Sequence, residues 1–315
     1  MEQMRVYDNE LVQVFKEAES IVASFPAPLA LYGHQLLRRI NPQSEAGRSN
    51  MLFGLLPFWL RERWGGSLDL CRDLAVGNVC ATLHFSLVDD AMDRGPDNGP
   101  GTRLSLALGQ LCQEAFRERY GRHFPDRSPL WERYRAYVAD WASYVSQEGS
   151  RLRADPREPA KLAAKSAPLK VSAAAILLAT GQEKELLELE EAMDLALAVL
   201  QLADDWADWK DDLAEESSNA FLVLVREKLH LPDGQALTER AVKQAIFHHG
   251  ALDALGEIVD GYVTRLRNND TAPNLLVSFT VGIAEGIRED ARRAAETVDR
   301  LAIGGGWSYF LSNFS

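Results

Sequence analysis

Apolar side chains recur at intervals of three and four along nearly the whole chain, and that spacing restricts what the chain can fold into. Leu11, Val14, Phe15 and Ala18 follow it, as do Leu186, Leu189, Met193 and Leu197. Stretches such as Gly286 to Leu301, rich in Ala, Glu and Arg, favour helix by propensity alone. The opposing signals are missing: there is no sustained alternation of β-branched residues and no hairpin turn between two such runs. Helix-breaking residues punctuate the pattern at Pro26 to Pro28, Asn41-Pro42, Gly65-Gly66, Gly95 to Gly101, Phe124-Pro125, Pro156 to Pro159, Gly181 and Leu231 to Gly234. None of these breaks is long enough to be a linker. The pattern predicts a single all-α domain over residues 1–315, a helical bundle of roughly ten to thirteen helices. Leu68 to Met92 and Glu183 to Trp209 are apolar around most of their circumference, which marks helices at the centre of a bundle.

Charge narrows the function. The chain carries 46 acidic and 34 basic residues, a formal net of −12. Nucleic acid is excluded as a partner, because its recognition needs a basic footprint. A phosphorylated substrate is not excluded, since carboxylates can hold a divalent cation that in turn holds phosphate. The excess is also localised: residues 89–97 and 204–216 together account for nine of the twelve net negative charges. Cys71, Cys80 and Cys112 form no C-x-x-C pair and fit a reducing compartment. The charged start at Met1 to Arg5 does not resemble a signal peptide. The most apolar stretches, Val171 to Gly181 and Leu195 to Ala203, are too short to span a bilayer. A cytoplasmic protein is expected, and a homodimer is compatible with that reading.

Those two acidic stretches contain one motif twice. Leu87-Val88-Asp89-Asp90-Ala91-Met92-Asp93 ends one apolar helix, and Leu202-Ala203-Asp204-Asp205-Trp206-Ala207-Asp208 ends another. Both have the form D-D-x-x-D. On a helix, residues four apart share a face, so Asp89 stands over Asp93 and Asp204 over Asp208. Like charges so placed repel, and apolar flanks suggest partial burial, which is costly for unpaired carboxylates. A cation between them resolves both problems. Hard oxygen ligands at this density suit Mg²⁺, which retains several waters and is completed by phosphate oxygens. Asp211, Asp212, Glu215 and Glu216 extend the second face by about two turns, enough for a further ion. The plain alternative is a pair of solvated acidic helix faces, which a second copy in the same setting disfavours.

Two aspartate-rich helices in an all-α chain resemble the class I isoprenoid synthase superfamily, the trans-prenyl diphosphate synthases and class I terpene synthases. Lys165-Ser166-Ala167-Pro168-Leu169 is similar to the family's Lys-Thr-Ala-x-Leu segment, whose Lys contacts diphosphate. Gln201 precedes Asp204 by three residues, as in the family's Phe-Gln-x-x-Asp-Asp, with Leu200 in place of Phe. The resemblance implies an all-α bundle around a central active-site cavity. It also implies three Mg²⁺ ions that bind a prenyl diphosphate, held in part by Gln201, and leave a carbocation when diphosphate departs. Lys165, Arg94 and Lys170 are the expected cationic contacts to diphosphate.

The departures from the family select among its activities. The basic segment that binds a second substrate, isopentenyl diphosphate, is reduced to Ala46-Gly47-Arg48-Ser49-Asn50-Met51-Leu52, and the Arg-Arg pair after the first motif is missing, with only Arg94 and then Arg103 nearby. Without those guanidiniums a second diphosphate binds poorly, because bidentate Arg contacts supply much of the affinity. A one-substrate reaction, ionisation followed by cyclisation, is therefore expected: a terpene synthase. Against it, the usual terpene-synthase second motif of Asn, Ser and Glu is replaced by Asp204, Asp205 and Asp208. A prenyltransferase that joins prenyl units and a non-catalytic partner subunit are the alternatives. Phe85, one turn before Asp89, is the expected cavity aromatic. Trp206 lies within the second motif, and His84 fits either a cavity or a core role. Glu227-x-x-His230 occurs once, too few for a di-iron bundle.

Overall fold

A computed structural model describes residues 6–42, 51–93, 99–147, 154–232 and 235–312, with only the backbone at 93, 100 and 299–312. Among the described residues the chain forms fourteen α-helices and no strand, which bears out the all-α expectation. They are α1 (Asp8–Ala23), α2 (Ala27–Ile40), α3 (Met51–Trp64), α4 (Leu68–Asp93), α5 (Pro100–Gly121), α6 (Pro129–Val145) and α7 (Pro159–Ala164). After a 3-10 turn at Ala167–Lys170 come α8 (Val171–Thr180), α9 (Leu186–Ala207), α10 (Trp209–Glu215), α11 (Ala220–Lys228), α12 (Glu239–His248), α13 (Ala251–Arg267) and α14 (Asn274–Ser312). None of the described helices is long and apolar enough to cross a membrane.

Several breaks among the described residues fall where the sequence places them, and others, at Asp208, Glu216, Gly250 and Asn268, are not marked in it. Gly181 ends α8 in the left-handed region (φ 69°), and the Gln182 N–H reaches back to the Leu177 carbonyl at 2.8 Å. That geometry costs glycine little and other residues more. Pro26 precedes α2, and Pro100, Pro129 and Pro159 open their helices, where a missing N–H is no loss. The expected helix from Glu183 to Trp209 is divided: a 3-10 turn occupies Glu183–Glu185, and α9 stops at Ala207.

The chain separates into two compact units. The first comprises Met1–Val145, Ala167–Glu190 and Pro273–Leu276. Within it α4 packs against α1, α3 and α5, and α8 against α3 and α6. Leu74, Val76, Val79, Cys80, Leu83 and Leu87 bury most of the circumference of α4, as its apolar pattern requires. Gly77 lets α5 approach closely, since a Cβ there would stand 2.8 Å from the Tyr120 ring. The Tyr120 hydroxyl in turn donates to Asn78 Oδ1 at 2.7 Å, and Asn78 Nδ2 donates to Ser172 Oγ at 2.8 Å and to the Phe53 carbonyl at 3.0 Å. This buried polar knot joins α3, α4, α5 and α8 with its groups satisfied. Arg119, buried on α5, is paired with Glu17 of α1 and Asp73 of α4.

The second unit comprises Ser146–Ser166, Glu191–Ala272 and Val277–Ser315. Here α11 packs against α10, α12 and α13, with Phe221, Leu224, Val225, Leu255, Val259 and Leu266 buried. The Tyr262 hydroxyl donates to the Pro156 carbonyl at 2.7 Å and fixes the approach to α7.

Candidate functional site

The first motif occupies the last turns of α4, which remains helical through Asp93. Asp89 is half-buried and Asp90 is exposed; the Asp93 side chain and all of Arg94 lie outside the described residues, as does 46–50 of the N-terminal basic segment. One turn earlier, Phe85 meets the Trp141 ring edge-on at 4.8 Å and His84 at 4.9 Å. His84 Nδ1 lies 2.9 Å from the Gly109 carbonyl, and burial lowers its pKa. That contact makes His84 a tie between α4 and α5. Lys170, 8% exposed, lies 5.5 Å from the Tyr137 ring, and the Tyr137 hydroxyl is bonded to Glu190.

The second motif is built differently. α9 ends at Ala207, and Asp208 turns the backbone into α10 while its own N–H still bonds the Asp204 carbonyl at 2.9 Å. The Asp208 carbonyl then accepts from the N–H groups of Asp211 and Asp212, both at 3.0 Å. The expected acidic face of two further turns is therefore interrupted: α10 stops at Glu215, and Glu216 takes a left-handed conformation (φ 56°).

Within this motif the three aspartates divide. Asp205 is 4% exposed, and both of its carboxylate oxygens are engaged: Gln201 Nε2 donates to Oδ1 and the Ala220 N–H to Oδ2, each at 2.7 Å. Ala220 is the first residue of α11, so Asp205 satisfies one of that helix's unpaired amides. Gln201, expected at the diphosphate, thus holds Asp205. Asp204 and Asp208 are exposed, and their carboxylates accept no hydrogen bond from a described residue. Asp212, half-buried on α10, accepts from Asn219 Nδ2 at 2.7 Å. Trp206 is not free-standing either: its indole N–H donates to Asp290 of α14 at 2.9 Å, and its ring meets Phe221 edge-on at 5.1 Å.

The electrostatics follow this arrangement. Asp204 is exposed by surface area, yet enough protein lies around its carboxyl to disfavour the charge. That desolvation, then Asp205 and Asp208, push it up to about 7, opposed by Lys165. Burial pushes Asp205 up to about 6 against the hydrogen bonds from Gln201 and Ala220. Burial also raises Asp212, opposed by Asn219, with Asp208 adding to the rise. Lys165 favours the charged form of all three, which places one ammonium in the field of this acidic set. Lys165 is the residue expected at the diphosphate, and here it stands in the field of Asp204, Asp205 and Asp212.

Among the described residues, no group of three His, Cys, Asp or Glu side chains is drawn together as a ready ion cage. The donor chemistry still fits Mg²⁺, a hard cation that keeps several waters and needs only one or two protein carboxylates. Asp204 and Asp208 supply such oxygens, open to solvent and unspent on the protein. Two participants escaped the sequence reading. Asn219 ends Ser217-Ser218-Asn219 before an apolar run, an N-cap signature legible in the sequence. Asp290, on a long charged helix, carries no signal that singles it out.

No family model, no curated protein and no solved structure matches the chain.

Proposed function

We propose that this chain is a Mg²⁺-dependent class I terpene synthase that ionises a linear prenyl diphosphate and cyclises the resulting carbocation in an apolar cavity. The observation that carries the reading is the acidic set at the end of α9: Asp204 and Asp208 exposed, Asp212 on the next helix, and Lys165 in the field of Asp204, Asp205 and Asp212. A set so charged, with one ammonium to balance it, favours a divalent cation.

Asp204, Asp208 and Asp212 would hold the metal in the second unit, and Asp89, Asp90 and Asp93 are the proposed ligands in the first. Bound Mg²⁺ supplies charge neutralisation for the departing diphosphate. Lys165, in the field of Asp204, Asp205 and Asp212, would donate to the diphosphate. Asp205 and Gln201 act on the fold, locking α9 to α11 so that Asp204 and Asp208 stay turned outward. Phe85, backed edge-on by Trp141, presents an aromatic face suited to a cation. Arg94 and Lys170 remain proposed cationic contacts to diphosphate.

The test uses purified chain, Mg²⁺ and prenyl diphosphates of graded chain length, with and without isopentenyl diphosphate. A hydrocarbon or terpene alcohol formed from one substrate is the expected product. A longer diphosphate formed only when isopentenyl diphosphate is present assigns the chain to the prenyltransferases instead. No turnover, together with no Mg²⁺ binding, leaves the non-catalytic partner subunit.

A further inference from the structure

Asn219 makes three hydrogen bonds from a position only 3% exposed. Its Oδ1 accepts from the Leu222 N–H at 2.9 Å, which caps α11. Its Nδ2 donates twice, to the Asp205 carbonyl and to Asp212 Oδ2, each at 2.7 Å. Next to it, the Ala220 N–H binds Asp205 Oδ2. The start of α11 therefore grips α9 by one backbone carbonyl and one carboxylate, and α10 by a second carboxylate. A cap needs only the Oδ1 bond. The two Nδ2 bonds are surplus to capping, and one of them spends a buried amide donor on an acidic residue of the candidate site.

We propose that Asn219 is a positioning residue for metal binding: its Nδ2 holds Asp212 Oδ2 and so aims the remaining oxygen, Oδ1, at the cation. The inference rests on the reading of Asp212 as a Mg²⁺ ligand. Its physical basis is the usual one for a ligating carboxylate, whose second oxygen is fixed by a hydrogen bond so that the first need not be ordered on binding. The amide is suited to this because it contributes a donor without adding charge to an already acidic surface. A lysine in its place would compete with the cation, and an aspartate would repel Asp212.

Asn219→Ser separates the two roles. Serine caps a helix about as well as asparagine, but its hydroxyl is too short to reach Asp212 while it caps. Mg²⁺ alone is titrated calorimetrically into the full-length wild type, Asn219→Ser, Asp212→Asn and the double variant, with thermal melting in EDTA alongside. The expected result is an Mg²⁺ affinity about 10- to 100-fold weaker in Asn219→Ser than in wild type. Its melting in EDTA falls because the buried Asp205 carbonyl loses its partner, whereas Asn219→Ser brings no further loss of Mg²⁺ affinity in the Asp212→Asn background. An affinity within about twofold of wild type overturns the proposal, as does an equal loss in both backgrounds, which assigns the effect to the Asp205 carbonyl and the fold. Absence of Mg²⁺ binding by the wild type itself removes the metal reading and this inference with it, and is distinguished by the wild-type titration alone.

Discussion

The two D-D-x-x-D segments are the same word in different surroundings. At the end of α4 the helix runs on through Asp93, and the middle aspartate, Asp90, is exposed. At the end of α9 the helix stops at Ala207, and the middle aspartate, Asp205, is buried with both oxygens tied to Gln201 and Ala220. What holds the second is the start of α11, twelve residues past Asp208, whose Ala220 N–H binds the Asp205 carboxylate. A repeated motif therefore repeats its letters without repeating the role of each letter. In the second copy, the outer aspartates face the solvent and the middle one is part of the scaffold.

The largest effect that tests this division is on turnover. Asp204→Ala should lower product formation by about 10²–10³-fold, the scale on which removing one stabiliser of developing charge acts. Helical content by circular dichroism should not change, because no hydrogen bond from a described residue ends on that carboxylate. Asp205→Asn should do the reverse: keep turnover within a few-fold, with the Gln201 amide turning over to present its oxygen. Equal losses in Asp204→Ala and Asp205→Asn would abolish the distinction between outer and middle aspartates.

The next effect is on stability and compares the two middle aspartates directly. Asp205→Ala leaves the Ala220 N–H buried without a partner, which costs about 1–3 kcal/mol. Asp90→Ala removes an exposed side chain from the last turns of α4 and should cost less than Asp205→Ala. Urea unfolding in EDTA measures both. A similar cost at the two positions would mean that Asp90 is as embedded as Asp205.

How much of this could be read from residues alone depends on the kind of interaction. The helices were legible because burial of one apolar stripe imposes a spacing of three and four, and Gly181 marked its helix end because a left-handed residue is needed there. The acidic set was legible because like charges crowded at helical spacing demand a reason. The split role of Asp205 was not, because it depends on Ala220, fifteen residues later, and nothing in D-D-x-x-D encodes that partner. Gln201 shows the same limit: its position relative to Asp204 suggested phosphate, and its side chain instead reaches one helical turn forward to Asp205. The halt at Ala207 was also hidden, since Asp208 and Trp209 continue the pattern by type while the backbone turns.

The dependence on pH sharpens the contrast further. Asp205 and Asp204, ordinarily at 3.8, titrate at about 6 and about 7 in the folded chain. The native state thus holds protons that the unfolded state has already released. Their contribution to stability is fully present below about pH 4 and is lost as pH rises through 6 and 7. In EDTA, the melting temperature should therefore fall between pH 5 and pH 8, and less so in Asp205→Asn, which cannot titrate there. Mg²⁺ binds the deprotonated carboxylates, so saturating Mg²⁺ should restore most of the loss at pH 8. A flat profile in EDTA would show that Asp204 and Asp205 are already charged at low pH.

The smallest effect concerns how the second region ends. α10 closes on Glu216, whose left-handed backbone allows the Glu216 and Ser217 N–H groups to meet the Asp212 carbonyl, the latter at 2.9 Å. A residue with a Cβ is disfavoured in that conformation, and glycine is not. Asp212 is thus fixed through its carbonyl by this turn and through its carboxylate by Asn219. Glu216→Gly should stabilise the chain by about 1 kcal/mol while leaving Mg²⁺ affinity within about twofold. The measurement is urea unfolding in EDTA beside a Mg²⁺ titration. An appreciable loss of affinity would make Glu216 a ligand in its own right, and the acidic face would then extend past the end of α10 after all.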